Sequence, residues 1–191
     1  AQDEVRLAIV GLGSASYALP SIKIYEMILS ASMEPVVAIH PSATISPSVH
    51  IGAGATVMAG VIINASATLG NNVVVNTGAI IEHDCVIGDH AYVASGAVLS
   101  SGVTVGECAY IGAGAVIRQG ISIGAESVVG AGAAVTADAR RAEQSCHVPL
   151  ERAAAGRLGR FESRAEDAQD TGCGYRQGRG HRRRVRWAVE K

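Results

Sequence analysis

From Ile39 to Val135 every sixth residue is Ile, Leu or Val, 17 positions in succession without an insertion or an exception. Four residues after each lies a second apolar set, smaller and dominated by Ala and Val, in which Cys85, Ile121 and Ser127 are the variants. Helical periodicity of 3.6 cannot produce this pattern, and independent alternating strands would have to keep one register through all 17 hexads. A fixed short period with one large and one small inward residue marks a β-solenoid, in which each hexad supplies a strand and a corner.

The composition suits such a core. Aromatic residues make up 4% of the 191 residues, Gly numbers 23, and the apolar content is mostly Ala, Val and Ile, which fill thin stacked strands better than bulky helical packing. A chain of this length has room for one good-sized domain with appendages.

The hexads resemble the [LIV]-[small or acidic]-x-x-[small]-x repeat of the hexapeptide transferases, which implies an all-β, left-handed parallel β-helix with three hexads to a triangular coil. Residues 39–140 would then form between five and six coils, a prism roughly 27 Å tall at about 4.8 Å per strand. Residues 18 apart stack, and the outward residues sort into three faces. One reads Thr44, Ile62, Ile80, Val98, Val116, Ala134; another His50, Thr68, Val86, Thr104, Ser122; the third Thr56, Val74, Tyr92, Tyr110, Val128. Only the first is a nearly continuous aliphatic stripe. Exposed on a monomer it would be costly, so it is the expected subunit contact, with cover by the C-terminal tail as the competing reading.

Three segments are expected: residues 1–38, 39–140 and 141–191. In the first, Arg6 to Gly11 reads as a strand entering a glycine turn, Pro20 to Met33 as a helix, and Pro35 to Ile39 as a second strand, a partial Rossmann-like βαβ unit. Gly11 and Gly13 in its turn are candidate substrate-phosphate contacts, although two glycines after a strand equally mark a tight turn. The last segment has few large apolar residues and ends in an arginine cluster at 182–186, with 12 basic side chains to 7 acidic, against 4 to 10 in residues 1–140. Such a tail is expected to be disordered, and solvation of its charges is a simpler reading than nucleic-acid binding.

No run approaches the roughly 18 apolar residues of a membrane span, and no secretory leader precedes the repeats, so a soluble, cytoplasmic protein without membrane attachment is expected. Cys85, Cys108, Cys146 and Cys173 show neither CxxC pairing nor a compact framework and read as buried or idle thiols rather than as disulfides or a metal site.

One hexad differs from the rest. Ile81-Glu82-His83-Asp84-Cys85-Val86 puts an imidazole and a carboxylate at a corner where most others hold Ala, Ser, Gly or Asn. A carboxylate beside a histidine fixes its tautomer and increases its basicity, as a general base requires. A solvated surface pair is the alternative. His83 follows directly on the aliphatic face, and a base beside a subunit contact sits in a cleft that excludes water and aligns two substrates.

The runs Ala38-Ile39-His40-Pro41-Ser42-Ala43, Asn76 to His90 and Gly96-Ala97-Val98-Leu99 are similar to the sialic acid O-acetyltransferase and amino-sugar N-acetyltransferase family, the NeuD/PglD type, over roughly residues 5–137. The resemblance implies acetyl transfer from acetyl-CoA to a nucleotide-linked amino sugar or a sialic acid, without a metal. It implies His83 as general base with Asp84 increasing its basicity. It also implies a homotrimer with acetyl-CoA in the groove between subunits, near Tyr92, Ser101, Ala113 and Ala131. Gly112, Gly114, Gly130 and Gly132 are expected to let the pantetheine arm lie close to the backbone. The sequence departs from the family in three ways: Tyr92 stands where relatives commonly have a second histidine, the opening βα units of the sugar-nucleotide domain are absent, and the basic tail replaces a short Gly-Val-Pro-Ala-type ending.

A γ-class carbonic anhydrase shares the solenoid but needs three zinc-binding histidines, a set that His40, His50, His83 and His90 do not supply on stacked corners. The non-enzymatic alternative is a solenoid scaffold that has lost acceptor binding.

Overall fold

The computed structural model describes residues 6–11 and 19–139. The expected tail, with Cys146 and Cys173, lies outside the described residues, as does Gly13.

Strand β1 (Leu7–Ala8), helix α1 (Leu19–Ser30) and strand β2 (Glu34–Pro35) form a small βαβ unit, the two strands pairing in parallel with Leu7 opposite Glu34 and Ala8 opposite Pro35. The helix ends in a Schellman motif. Ser32 takes φ 55°, its N–H reaches the Leu29 carbonyl, and the N–H of Met33 reaches that of Ile28, both at 3.0 Å. The second strand expected over residues 35–39 divides in two. Its start pairs with β1, while Ala38–Ile39 is already β3, the first solenoid strand, opposite Thr56–Val57.

From β3 to β19 (Ala134–Val135) the chain is a stack of two-residue strands in three parallel sheets of six, six and five strands, visited in rotation. Every solenoid pairing joins residues 18 apart, such as Ile80 with Val98 and Tyr92 with Tyr110. The architecture matches a left-handed parallel β-helix of about five turns. The outward residues fall on the three faces expected, named here the aliphatic face, the threonine face and the tyrosine face.

Within each strand the second residue points inward, and the small residue four positions on fills the corner, so Ile81, Cys85, Ile87, Ala91, Val93 and Ala97 are all essentially unexposed. This yields one continuous apolar column of stacked layers. The column opens at its base, where Ile39 is 49% exposed. Helix α1 packs near that end: the Tyr25 ring stands edge-on to His90 at 5.6 Å, and an added Cβ on Gly54 would lie 2.9 Å from it.

The corners explain the glycines. From position 54 to position 132 every sixth residue has φ between 51° and 70°. Eight of these are Gly, while Ser66, Asn72, Asp84, His90, Cys108 and Glu126 hold the left-handed conformation with a side chain. Separately, Gly52, Gly70, Gly88 and Gly106 form a column at the threonine–tyrosine corner, where a Cβ would come within 2.7 Å of the backbone of the next coil. There the coils stack too closely for any side chain.

Candidate active site

The strand β10 (Ile80–Ile81) leaves the aliphatic face through the turn Glu82-His83-Asp84-Cys85 and continues as β11 (Val86–Ile87) on the threonine face. The turn is tied to both neighbouring coils: Asp84 N–H donates to the Ala65 carbonyl at 3.0 Å, and Gly102 N–H donates to that of His83 at 2.9 Å. Asp84 has φ 60°, a conformation that aspartate tolerates better than most side chains.

His83 Nδ1 and Asp84 Oδ2 are 2.7 Å apart. A carboxylate only accepts, so the proton of that bond sits on Nδ1, and in the neutral ring Nε2 carries the lone pair. No hydrogen bond occupies Nε2 among the described residues. The two side chains are 56% and 63% exposed on the single chain, so the free nitrogen is open to a substrate. Tautomer, orientation and access are those of a general base.

Two other groups share this corner. Glu82 is half-buried, and its Oε2 accepts a hydrogen bond at 2.8 Å from Nδ2 of Asn64 in the coil before. Cys85, a potential nucleophile beside a histidine, points into the core with no exposure, and its thiol donates to the Ser100 carbonyl at 3.2 Å. Burial pushes the thiol's pKa up, and the Glu82 and Asp84 carboxylates push it the same way, against backbone hydrogen bonds with Val103 and Gly102. An inaccessible thiol that resists ionisation is no nucleophile, so Cys85 takes no part in chemistry at this corner.

The remaining candidates are distributed. Ser101 lies at the same corner one coil above His83, with Gly120 N–H donating to its carbonyl. Ala113 and Ala131 stack at the tyrosine–aliphatic corner, where Gly132 N–H donates to the Ala113 carbonyl. Tyr92 lies on the tyrosine face, which is the side of the prism opposite the His83 corner. A single chain therefore brings together His83, Asp84 and Ser101, but not Tyr92 or the two alanines. Gly11 is exposed, three residues past the end of β1. Gly112 answers to packing: a Cβ there would sit 2.5 Å from the Ala131 nitrogen. Gly114 and Gly132 answer to φ of 65° and 67°.

Three side chains that sequence reading passed over belong to these surroundings. Asn76 Nδ2 donates to the Tyr92 hydroxyl at 2.8 Å, and Tyr110 stacks on Tyr92 with ring centroids 5.3 Å apart. Burial raises the pKa of Tyr110, and Tyr92 adds to the shift. Glu82 with its Asn64 anchor is the third. The signal was the 18-residue stack itself, which joins 64 to 82 and 92 to 110.

Of the other histidines, His40 Nδ1 bonds Ser42 Oγ at 2.8 Å and His90 Nδ1 bonds Asn72 Nδ2 at 3.0 Å, each away from His83. Among the described residues no three His, Cys, Asp or Glu side chains are grouped as a metal ion would need. No helix among them is long and apolar enough to cross a membrane.

The bacterial transferase hexapeptide (six repeats) model matches residues 66–101, and the hexapeptide repeat of succinyl-transferase matches residues 42–65 and 102–137. No curated protein sequence matches the chain. Among solved structures, it is similar to PerB from Caulobacter crescentus in complex with CoA and GDP-perosamine, with 39% identity, 70% of this chain and 63% of that one covered, and a TM-score of 0.67. A variant of perosamine N-acetyltransferase from the same organism, with the same two ligands, gives 38% identity, 70% and 62% coverage, and 0.67. The acetyltransferase domain of PglB from Neisseria gonorrhoeae FA1090, in complex with acetyl coenzyme A, gives 36% identity, 66% and 62% coverage, and 0.64. The chain thus spans 62–63% of the length of these three structures.

Proposed function

The chain belongs to the hexapeptide-repeat transferase family, and from that premise we propose that it moves an acetyl group from acetyl-CoA to the amine of a nucleotide-linked amino sugar. The reaction serves surface glycan synthesis in the cytoplasm, with His83 as general base. The observation that carries the reading is the His83–Asp84 bond of 2.7 Å, which leaves an unengaged, exposed Nε2 at the corner. The ligands of the similar structures, CoA with GDP-perosamine and acetyl coenzyme A, support the choice of donor and acceptor.

In the proposed mechanism the acceptor nitrogen attacks the thioester carbon. A C–N bond forms as the carbonyl becomes an oxyanion, which main-chain N–H groups stabilise. Nε2 of His83 takes a proton from the nitrogen while Asp84 holds the ring through Nδ1. The C–S bond then breaks, and the departing CoA sulfur receives the proton from His83.

The active unit is a homotrimer. On the single chain Ile62 and Val116 of the aliphatic face are 38% and 48% exposed, an apolar strip suited to a second copy. That face runs between the corner carrying His83 and Ser101 and the corner carrying Ala113 and Ala131. Packing along it sets one subunit's base against another's Tyr92, Ala113 and Ala131, with acetyl-CoA in the groove. Gly11 and Gly13 contact the acceptor's phosphates.

The test is His83→Ala, assayed by CoA thiol release over a panel of nucleotide-linked amino sugars. The kcat is expected to fall by about 10²–10⁴, the usual contribution of a positioned general base, with acetyl-CoA binding nearly unchanged. Wild-type kcat in this variant on the true acceptor would remove His83 from the mechanism.

A further inference from the structure

The corner that carries His83 holds a second carboxylate with no role in the mechanism above. Glu82 Oε2 is tied to Asn64 Nδ2 at 2.8 Å, which fixes the carboxylate from the coil below. Among the described residues Oε1 forms no hydrogen bond. Asp84 differs, because one of its oxygens already holds the His83 ring.

The charge around this pair is one-sided. Residues 24–117 contain no Lys or Arg, so neither Glu82 nor Asp84 has a basic side chain in its own coil or in the coils on either side. A surface carboxylate is ordinarily surrounded by charges of both signs. Here Glu82 and Asp84 stand on either side of His83 in the sequence, Asp84 bonded to its ring and Glu82 held by the Asn64 amide.

We propose that Glu82 is the residue that selects an amine over a hydroxyl as acetyl acceptor. The inference rests on the acetyl transfer proposed above and names the group that sets its acceptor class. When an amine adds to a thioester, the nitrogen gains a fourth bond and carries positive charge until His83 removes its proton. A fixed carboxylate beside that nitrogen stabilises the charge as it develops, and its fixed position means little reorganisation is needed. A hydroxyl loses its proton as it attacks and gains less. An acceptor with its own carboxylate, such as a sialic acid, meets two anions and no cation here, a repulsion that adds to the discrimination.

The experiment compares wild type, Glu82→Gln and Glu82→Asp on GDP-perosamine and other nucleotide-linked amino sugars, each paired with the analogue bearing a hydroxyl in place of the amine. Gln keeps the shape and can still accept from Asn64, so it removes the charge alone. Expected is a fall in kcat/KM of about tenfold on the amine, the order of the effect of one charge acting across several ångströms of intermediate dielectric. The hydroxyl analogue should change less than about twofold, acetyl-CoA affinity should hold, and Glu82→Asp, which keeps the charge but draws it back from Asn64, should retain only part of the amine preference. A Glu82→Gln protein with the wild-type amine-to-hydroxyl ratio overturns the proposal while leaving acetyl transfer intact. Wild-type protein that acetylates no amine in the panel overturns both. Should Glu82→Gln melt below the assay temperature, Asn64→Ala, which frees the carboxylate, takes its place, and an unchanged ratio there overturns the proposal equally.

Discussion

Asp84 is asked to do two things that pull apart, and a substitution series at this position separates them. Its φ of 60° is the conformation that eight of the fourteen equivalent corner residues meet with Gly. An L-residue held there costs about 1–2 kcal/mol, with aspartate at the lower end. Replacing it with Gly removes that cost but adds about 0.4–1 kcal/mol of unfolded-chain entropy, so Asp84→Gly should lie between neutral and about 1 kcal/mol more stable. Asp84→Ala should lie about 1 kcal/mol below Asp84→Gly, a difference of about 2–4 °C in Tm. The ion pair with His83 does not disturb this estimate, because both partners are more than half exposed and such pairs contribute little. Activity should follow a different order. Gly and Ala both lose the acceptor for Nδ1–H, and both should lower kcat by about 10–100-fold, part of what a positioned base supplies. Asn, which retains an acceptor oxygen and tolerates the backbone, should fall between them and wild type in rate. Calorimetry and CoA-release kinetics on the same preparations decide the matter. Equal melting temperatures for the Gly and Ala variants would refute the backbone argument, and wild-type kcat in either would refute the catalytic one.

The aliphatic face and the glycine column give two further expectations. Ile80→Asp combined with Val98→Asp should convert the proposed trimer to monomers and abolish turnover together, and light scattering that shows a monomeric wild type at micromolar concentration would sink the proposal. Gly106→Ala would place a Cβ 2.4 Å from the Ala125 nitrogen, forcing two coils apart at about 3 kcal/mol. Gly114→Ala has nothing within 4 Å of the new atom and a φ of 65°, so it should cost only about 1 kcal/mol. Urea denaturation that ranks them the other way would refute the stacking argument.

The solenoid was legible because its core is one-dimensional. A residue such as Ile81 is buried by its own period and by positions 63 and 99, all at fixed spacing, so no tertiary contact of unknown register had to be guessed. The N-terminal strand boundary was not, because Pro35 and Ala38 look like one extended run while their backbone partners differ: Val36 N–H donates to the Ala8 carbonyl and Ala38 N–H to that of Ala55. At the candidate site, the His83–Asp84 bond could be anticipated because the two residues are adjacent in sequence. The Glu82–Asn64 and Asn76–Tyr92 bonds escaped because each crosses between coils, and side-chain direction is not contained in the repeat. At Gly112 the sequence did not reveal the packing need, room for Ala131 of the next coil, because that contact too crosses between coils.

The constant 18-residue offset between paired strands also governs how this molecule comes apart. Among the described residues no strand closes the structure by pairing the first coil with the last, so each coil is secured mainly by the coils above and below it, with helix α1 adding cover near the base. Opening therefore begins at an end and advances one coil at a time, and the energy of each step is local to that coil. The half-exposed Ile39 marks the end with the least cover. His83 lies between coils on both sides, its carbonyl bound by Gly102 and the following Asp84 N–H bound to Ala65, so the terminal coil can fray repeatedly without disturbing the His83 corner. Because its contacts all span the same short stretch of chain, the solenoid can also regrow from the layers that remain, without a search for distant partners.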